Sequence, residues 1–261
     1  MNQAPENTGF PPPTFLQKRA LVSALMLSPV LVAQGKYVRV SIPRLPHAPK
    51  PWDGSHPGPA PISVLGLGDS TIAGVGVSDS NLGLTAQFAT LLHQHFDRGV
   101  SWRSVGRSGA TTEDLLGAFL PEALESKADV ILVSIGANDA KNLKPLRATI
   151  SRFERLIEAL RSGHPDATLL FSSLPAFYLF TTLPEPLRTI MYQHAQAIER
   201  SVRPLIEAKP FAFMSPPPPG YHDTFFAEDG FHPSADGYRD WAGFALRDAL
   251  ERGALEHLHR R

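Results

Sequence analysis

From Ile62 onward, short runs of consecutive apolar residues alternate with longer stretches in which apolar residues recur every three or four positions. Residues 62–67 predict a buried strand, and 81–96, with Leu84, Phe88, Leu91 and Leu92 on one face, predict a helix. The pattern repeats with a second strand at 100–105 and a helix at 113–125 behind the cap signal Thr111-Thr112. A third strand at 129–135 has Val130, Ile131, Leu132 and Val133 in unbroken succession, as a parallel strand covered on both faces requires. Residues 145–161 place Leu146, Ile150, Phe153, Leu156, Ile157 and Leu160 at helical spacing. Then come a fourth strand at 168–173, a long helical region at 186–207, a weak fifth strand at 211–214 and a closing helix at 235–252. Five strands alternating with helices predict an α/β fold, its sheet mainly parallel and covered on both faces, because right-handed crossovers place the helices there. Ligands in such folds bind beyond the carboxyl ends of the strands.

The first sixty residues follow a different rule. Twelve of the 25 prolines lie at or before Pro61, and the series Pro43, Pro46, Pro49, Pro51, Pro57, Pro59 and Pro61 predicts an extended surface connection over roughly 37–61. Ahead of it, Lys18-Arg19 precede an apolar stretch within 16–33 that reads as a helix. Three readings stay open for that helix: it lies on the domain or on a membrane surface, it is an uncleaved anchor or signal, or it belongs to a disordered arm. Pro29 interrupts it, no small-x-small cleavage pattern precedes Gln34, and it is short for a membrane span of ~20 residues. The expectation is therefore a cytoplasmic or membrane-associated protein ahead of a secreted one. The chain divides into an N-terminal extension (1–61), a catalytic domain (62–253) and a short tail (254–261).

Composition narrows the chemistry. Lys plus Arg and Asp plus Glu both total 25, so no basic surplus points to nucleic acid. The absence of cysteine excludes disulfides, thiolate metal sites and cysteine nucleophiles. A hydrophobic content of 43% in 261 residues is enough for one sizeable core.

Four clusters fall at the predicted strand ends: Gly68-Asp69-Ser70, Ser108-Gly109, Gly136-Ala137-Asn138-Asp139 and Asp229-Gly230-Phe231-His232-Pro233. Ser70 follows strand one, with Gly74 and Gly76 permitting a tight backbone that exposes its hydroxyl; the plain alternative is a turn cap. A hydroxyl needs a base. Of the ten histidines, His232 has an aspartate three residues earlier and a helix start just after it. On a tight turn, Asp229 accepts from the ring Nδ1 and leaves Nε2 facing the serine. The alternative reading leaves Asp229 as a helix cap and His232 on the surface. His93, His95 and His164, on or beside helices, read as solvated. Asn138 offers a side-chain donor to an oxyanion, and Gly109 and Ser70 offer backbone N–H groups. Asn138-Asp139 also fits a simple Asx turn, Gly109 a purely conformational glycine, and Asp139 a loop-shaping role. A metal site at His222, Asp223, Asp229 and His232 is a weaker option, since it lacks a helix-based ligand spacing.

These four blocks, in this order over roughly residues 62–252, resemble those of the SGNH (GDSL-type) hydrolases. The resemblance implies a flavodoxin-like three-layer α/β/α sandwich and hydrolysis of small-molecule esters or thioesters without a cofactor. It implies Ser70 as nucleophile, His232 as general base and acid, and Asp229 as its orienting partner. The oxyanion hole would be Ser70, Gly109 and Asn138; the Ser-Gly-x-Thr context of residues 108–111 favours Gly109 over Gly106. No Gly-x-Ser-x-Gly elbow surrounds Ser70, which disfavours the other common serine-hydrolase fold. The apolar and aromatic segment 174–184, with Phe177, Tyr178 and Phe180, either lines an acyl pocket or packs as core. A binding protein that kept the fold, attached to a membrane surface by residues 16–33, is the reading from a different class.

Overall fold

The structure is a computed structural model that describes residues 13–217 and 220–260. Two helices, α1 (Pro13–Met26) and α2 (Ser28–Ser41), lead through the proline-rich arm to a short strand β1 (Asp53–His56). The alternating core follows: β2 (Ile62–Gly68), α3 (Leu84–Phe96), β3 (Val100–Gly106), α4 (Thr112–Asp114), α5 (Leu120–Ala123) and β4 (Val130–Ser134). The chain continues through α6 (Ala137–Lys141), α7 (Leu146–Gly163), β5 (Thr168–Phe171), α8 (Leu187–Glu207), β6 (Ala212–Met214) and α9 (Ala235–Glu251).

The sheet order is β1-β3-β2-β4-β5-β6, with every neighbouring pair parallel except β1 with β3. Successive side chains of a strand point to opposite faces, and the core divides accordingly. Leu65, Leu67, Ile131, Val133, Leu169 and Phe171 face one apolar layer with Phe153, Leu156 and Leu160 of α7 and Ile198 and Val202 of α8. Val64, Val130, Leu132 and Leu170 face the other, with Phe88 and Leu92 of α3 and Tyr238 and Leu246 of α9. The result is the three-layer α/β/α sandwich expected from the sequence.

The sheet has six strands where five were expected. The proline spacing widens between Pro51 and Pro57, and the residues in that gap supply the N–H groups for an antiparallel edge ladder against β3. Segment 37–61 is thus not wholly irregular: α2 runs to Ser41, and β1 closes the sheet. The single helix expected over 16–33 is two, bent by 90° at Leu27, with Pro29 in the first turn of α2, where its missing N–H has no partner to lose. The helix expected at 113–125 is also divided. It widens into a π-type turn over Leu115–Phe119, just before Pro121, whose ring excludes the carbonyl four residues back. His164 is buried rather than solvated: its Nε2 lies 3.2 Å from the Ala123 carbonyl, and its Nδ1 accepts from Ala128 N–H at 3.3 Å.

Candidate active site

All four sequence clusters lie at the carboxyl ends of the parallel strands. Ser70 follows β2, Gly109 follows β3, Asn138 opens α6 after β4, and Asp229 and His232 sit on the turn that leads into α9. Asp229 Oδ1 accepts the backbone N–H groups of Phe231 and His232, each at 2.9 Å, which winds the turn around its own carboxylate. Its Oδ2 takes the ring Nδ1–H of His232 at 2.6 Å. That bond leaves Nε2 as the acceptor, 3.0 Å from Ser70 Oγ, whose hydroxyl donates to it. Burial pushes the Asp229 carboxyl up, but the hydrogen bonds from His232 and Phe231 outweigh it and hold the group below the ordinary carboxylate range. An ionised carboxylate therefore fixes the tautomer of His232.

The two glycines near the end of β3 have different jobs. A Cβ on Gly106 would lie 2.4 Å from the Gly68 carbonyl oxygen, so that position is glycine because two backbones meet there. Gly109 has φ +82, a left-handed backbone that favours glycine, with open space where a side chain would stand. Its loop is held at several points. Thr111 and Asp114 cap each other reciprocally, and the buried Asp139 accepts from Thr112 N–H at 3.0 Å and from its hydroxyl at 2.8 Å. The loop-shaping role expected of Asp139 is what these bonds describe. His47 Nε2, from the N-terminal arm, accepts from Ser108 N–H at 3.1 Å. Asn138 is buried and donates one amide hydrogen to the Ala110 carbonyl at 3.0 Å, leaving the second for a ligand.

Ser70, Asn138 and His232 share a cavity of about 60 Å³ with Asp69, Leu174, Phe180, Tyr221, Phe225, Phe226 and Phe231. Of the three aromatic residues expected at the substrate, Phe180 alone lines it. Phe177 is fully buried behind Phe180, with ring centroids 5.4 Å apart, and Tyr178 is turned outward against Tyr192 of α8. The rings contributed by Tyr221, Phe225, Phe226 and Phe231 were not anticipated. Their signal is the density of aromatic residues on both sides of Asp229. On the other side of His232 lies a wider groove of about 660 Å³, lined by Val38 and Arg39 of α2, Ile42, Arg44 and Leu45 of the arm, and Leu187 and Met191 of α8.

Asp69 is a further residue whose role was not read from the sequence. It is buried beside Ser70, and burial pushes its carboxyl up to about 6, against the pull of a hydrogen bond from Thr71 and the nearby His232 and Lys141. Among the described residues no group of three or more His, Asp or Glu side chains is arranged to hold a metal. His222, part of the weaker metal option, bonds Asp240 at 2.7 Å instead.

A serine bonded to a histidine at the carboxyl edge of a doubly covered parallel sheet marks the class of ester-bond hydrolases. The chain belongs to the GDSL-like lipase/acylhydrolase family, which it matches over residues 67–239. No curated protein matches it. Its fold is that of the lipase Lip_vut3 from a goat rumen metagenome (19% identity over 72% of this chain and 97% of that one, TM-score 0.59). It is similarly shared with a family 3 carbohydrate esterase from Clostridium thermocellum (19% identity, 75% and 98%, TM-score 0.56). The acetylxylan esterase Axe2 from Geobacillus stearothermophilus shows the same likeness (18% identity, 73% and 94%, TM-score 0.54). These structures are covered almost end to end by about three quarters of this chain, so the remainder has no counterpart in them.

Proposed function

We propose that the chain hydrolyses carboxylic esters of short acyl chains through an acyl-serine intermediate, with Ser70, His232 and Asp229 as nucleophile, base and orienting carboxylate. The observation that carries this reading is the bonded series from Asp229 through His232 to Ser70, with both of its links within 3.0 Å. Ser70 Oγ attacks the ester carbonyl carbon while its proton passes to His232 Nε2. The carbonyl oxygen becomes an oxyanion, met by the backbone N–H groups of Ser70 and Gly109 and the free amide hydrogen of Asn138. As the carbonyl re-forms, the bond to the alcohol oxygen breaks, and His232 returns the proton to that oxygen. Water then attacks the acyl-enzyme, its proton goes to Nε2, and collapse releases the acid and restores the serine hydroxyl.

The apolar cavity supports the substrate class. Its volume of about 60 Å³ and the rings of Phe180, Phe225, Phe226 and Phe231 in its wall suit a short acyl group. The alcohol part leaves through the wider groove beside His232. Turnover of p-nitrophenyl esters of graded acyl length tests both parts of the proposal. Activity is expected to peak near butyrate to hexanoate and to vanish in Ser70→Ala with the fold intact by circular dichroism. Undiminished turnover in Ser70→Ala would refute the nucleophile; a peak at acetate or at dodecanoate would refute the acyl assignment.

A further inference from the structure

Twelve large hydrophobic residues stand exposed among the described residues, and nine of them fall in α1 and α2: Phe15, Leu21, Val22, Leu25, Met26, Val30, Val32, Tyr37 and Val40. Surface hydrophobics scattered singly need no explanation; a concentration of this kind marks a contact surface. The two helices are not loose. α1 packs along α8 and buries Ala20 completely. Gln34 donates its side-chain amide to the Glu185 carbonyl and accepts from Leu187 N–H at 3.2 Å. Only one narrow stripe of α2, through Leu31, Gln34 and Val38 and continued by the flanking Leu27 and Ile42, is even half-buried, and no residue of α2 is fully buried. The outward side keeps Leu25 at 78%, Met26 at 76% and Val40 at 86% exposure. An ordinary surface helix shows charged and polar residues there.

Charge says what kind of partner covers this side. Between Glu6 and Asp53 the sequence contains Lys18, Arg19, Lys36, Arg39, Arg44 and Lys50 and no carboxylate, in a chain whose totals balance at 25 and 25. Lys18, Arg19, Lys36 and Arg39 are exposed on the same two helices as the apolar residues. Apolar side chains mixed with cations, without one acidic residue, match the headgroup region of an anionic bilayer: the apolar groups enter the acyl boundary and the cations meet the headgroup phosphates. No single helix among the described residues is long and apolar enough to cross a bilayer, and the 90° bend at Leu27 lays the pair out as a corner rather than a rod.

We infer that the bent pair α1–α2 seats the protein on the surface of an anionic membrane, with the groove beside His232, which α2 lines through Val38 and Arg39, opening next to that surface. The seat does not depend on the catalytic roles given above.

The test is co-sedimentation of the full chain with vesicles of phosphatidylcholine alone and of phosphatidylcholine with 30 mol% phosphatidylglycerol, alongside its mass in solution by light scattering. The chain is expected to bind the anionic vesicles at least tenfold better than the neutral ones, with the advantage lost in 1 M salt. Leu25→Glu with Met26→Glu should weaken that binding at least tenfold, and Lys18→Gln with Lys36→Gln by about tenfold or more, since each basic residue near such a surface gives roughly fivefold. All of these positions lie outside the catalytic cavity and groove, so turnover of p-nitrophenyl butyrate in solution should be unchanged. Equal binding to both vesicles, or none, would overturn the inference. So would a dimer that the same substitutions dissociate, which assigns the surface to a second copy, or binding that resists alkaline carbonate, which assigns it to a spanning segment.

Discussion

Asp69→Asn is the sharpest test of how the site is held, because it separates a buried charge from the hydrogen bond that goes with it. The carboxyl accepts Thr71 N–H at 3.1 Å, a bond the Asn oxygen can keep. Burial raises its pKa from the ordinary 3.8 to about 6, so the fold binds the proton more tightly than the unfolded chain does. The sign follows. Below about pH 4 both states hold the proton and no stability is lost. Between about 4 and 6 the unfolded chain ionises first and the fold weakens; above 6 the loss is constant. A rise of about two units at ~1.36 kcal/mol each puts the loss near ~3 kcal/mol as an upper bound. At roughly 2–4 °C per kcal/mol for a chain of this size, Asp69→Asn should melt as much as ~6–12 °C above the parent at pH 8 and level with it at pH 4. The charged groups facing Asp69, His232 and Lys141, pull its carboxyl down and are already counted in the value of about 6. The tightly bonded Asp229 titrates with the opposite sign, but it is common to both proteins and cancels in the difference. Thermal unfolding followed by circular dichroism from pH 4 to 8 measures this. A difference that does not change with pH, or that favours the parent at pH 8, would refute the reasoning.

Three further outcomes follow from the same geometry. Asn138→Ala removes the proposed oxyanion donor and should lower kcat about 10²–10³-fold with little change in KM, measured on p-nitrophenyl butyrate. Gly106→Ala drives a methyl group into the Gly68 carbonyl and should impair folding, whereas Gly109→Ala meets open space and strains only its own backbone, by about 1–2 kcal/mol; chemical denaturation of the pair separates the two roles. Phe180→Ala opens the cavity beside Ser70 and should move the acyl-length optimum upward by several carbons; an unmoved optimum would remove Phe180 from the acyl pocket.

Much of the fold was legible because its signals are local. Val130 to Val133 announce a doubly covered strand, and Leu146 to Leu160 announce the helix that covers it. The site was legible for a related reason: three of the clusters come just after a strand and the fourth just before the last helix, so parallel topology gathers them at one edge. β1 was not, because Asp53-Gly54-Ser55-His56 has no apolar alternation, and only the unfilled edge of β3 makes these residues a strand. The aromatic lining was hidden too. Phe180 follows β5 while Tyr221, Phe225 and Phe226 precede the Asp229 turn, and the closure of one loop over another brings their rings within 4.3–6.3 Å. The burial of Asp69 likewise depends on everything packed around it and on nothing adjacent in sequence.

The two margins of the sheet carry a consequence for how copies of the chain can meet. An unpaired strand edge is a template on which a second molecule can extend the ladder. Here one margin is the four-residue β1, flanked by prolines, and the other is the three-residue β6. At the margin of β6, Arg203 and Arg252 donate to the Met214 carbonyl at 2.7 and 3.0 Å, filling an acceptor a docking strand would need. Neither margin offers a stretch of free backbone long enough to nucleate cross-molecule pairing. Crowding this protein at high concentration should therefore not seed fibrils through the edges of the described sheet.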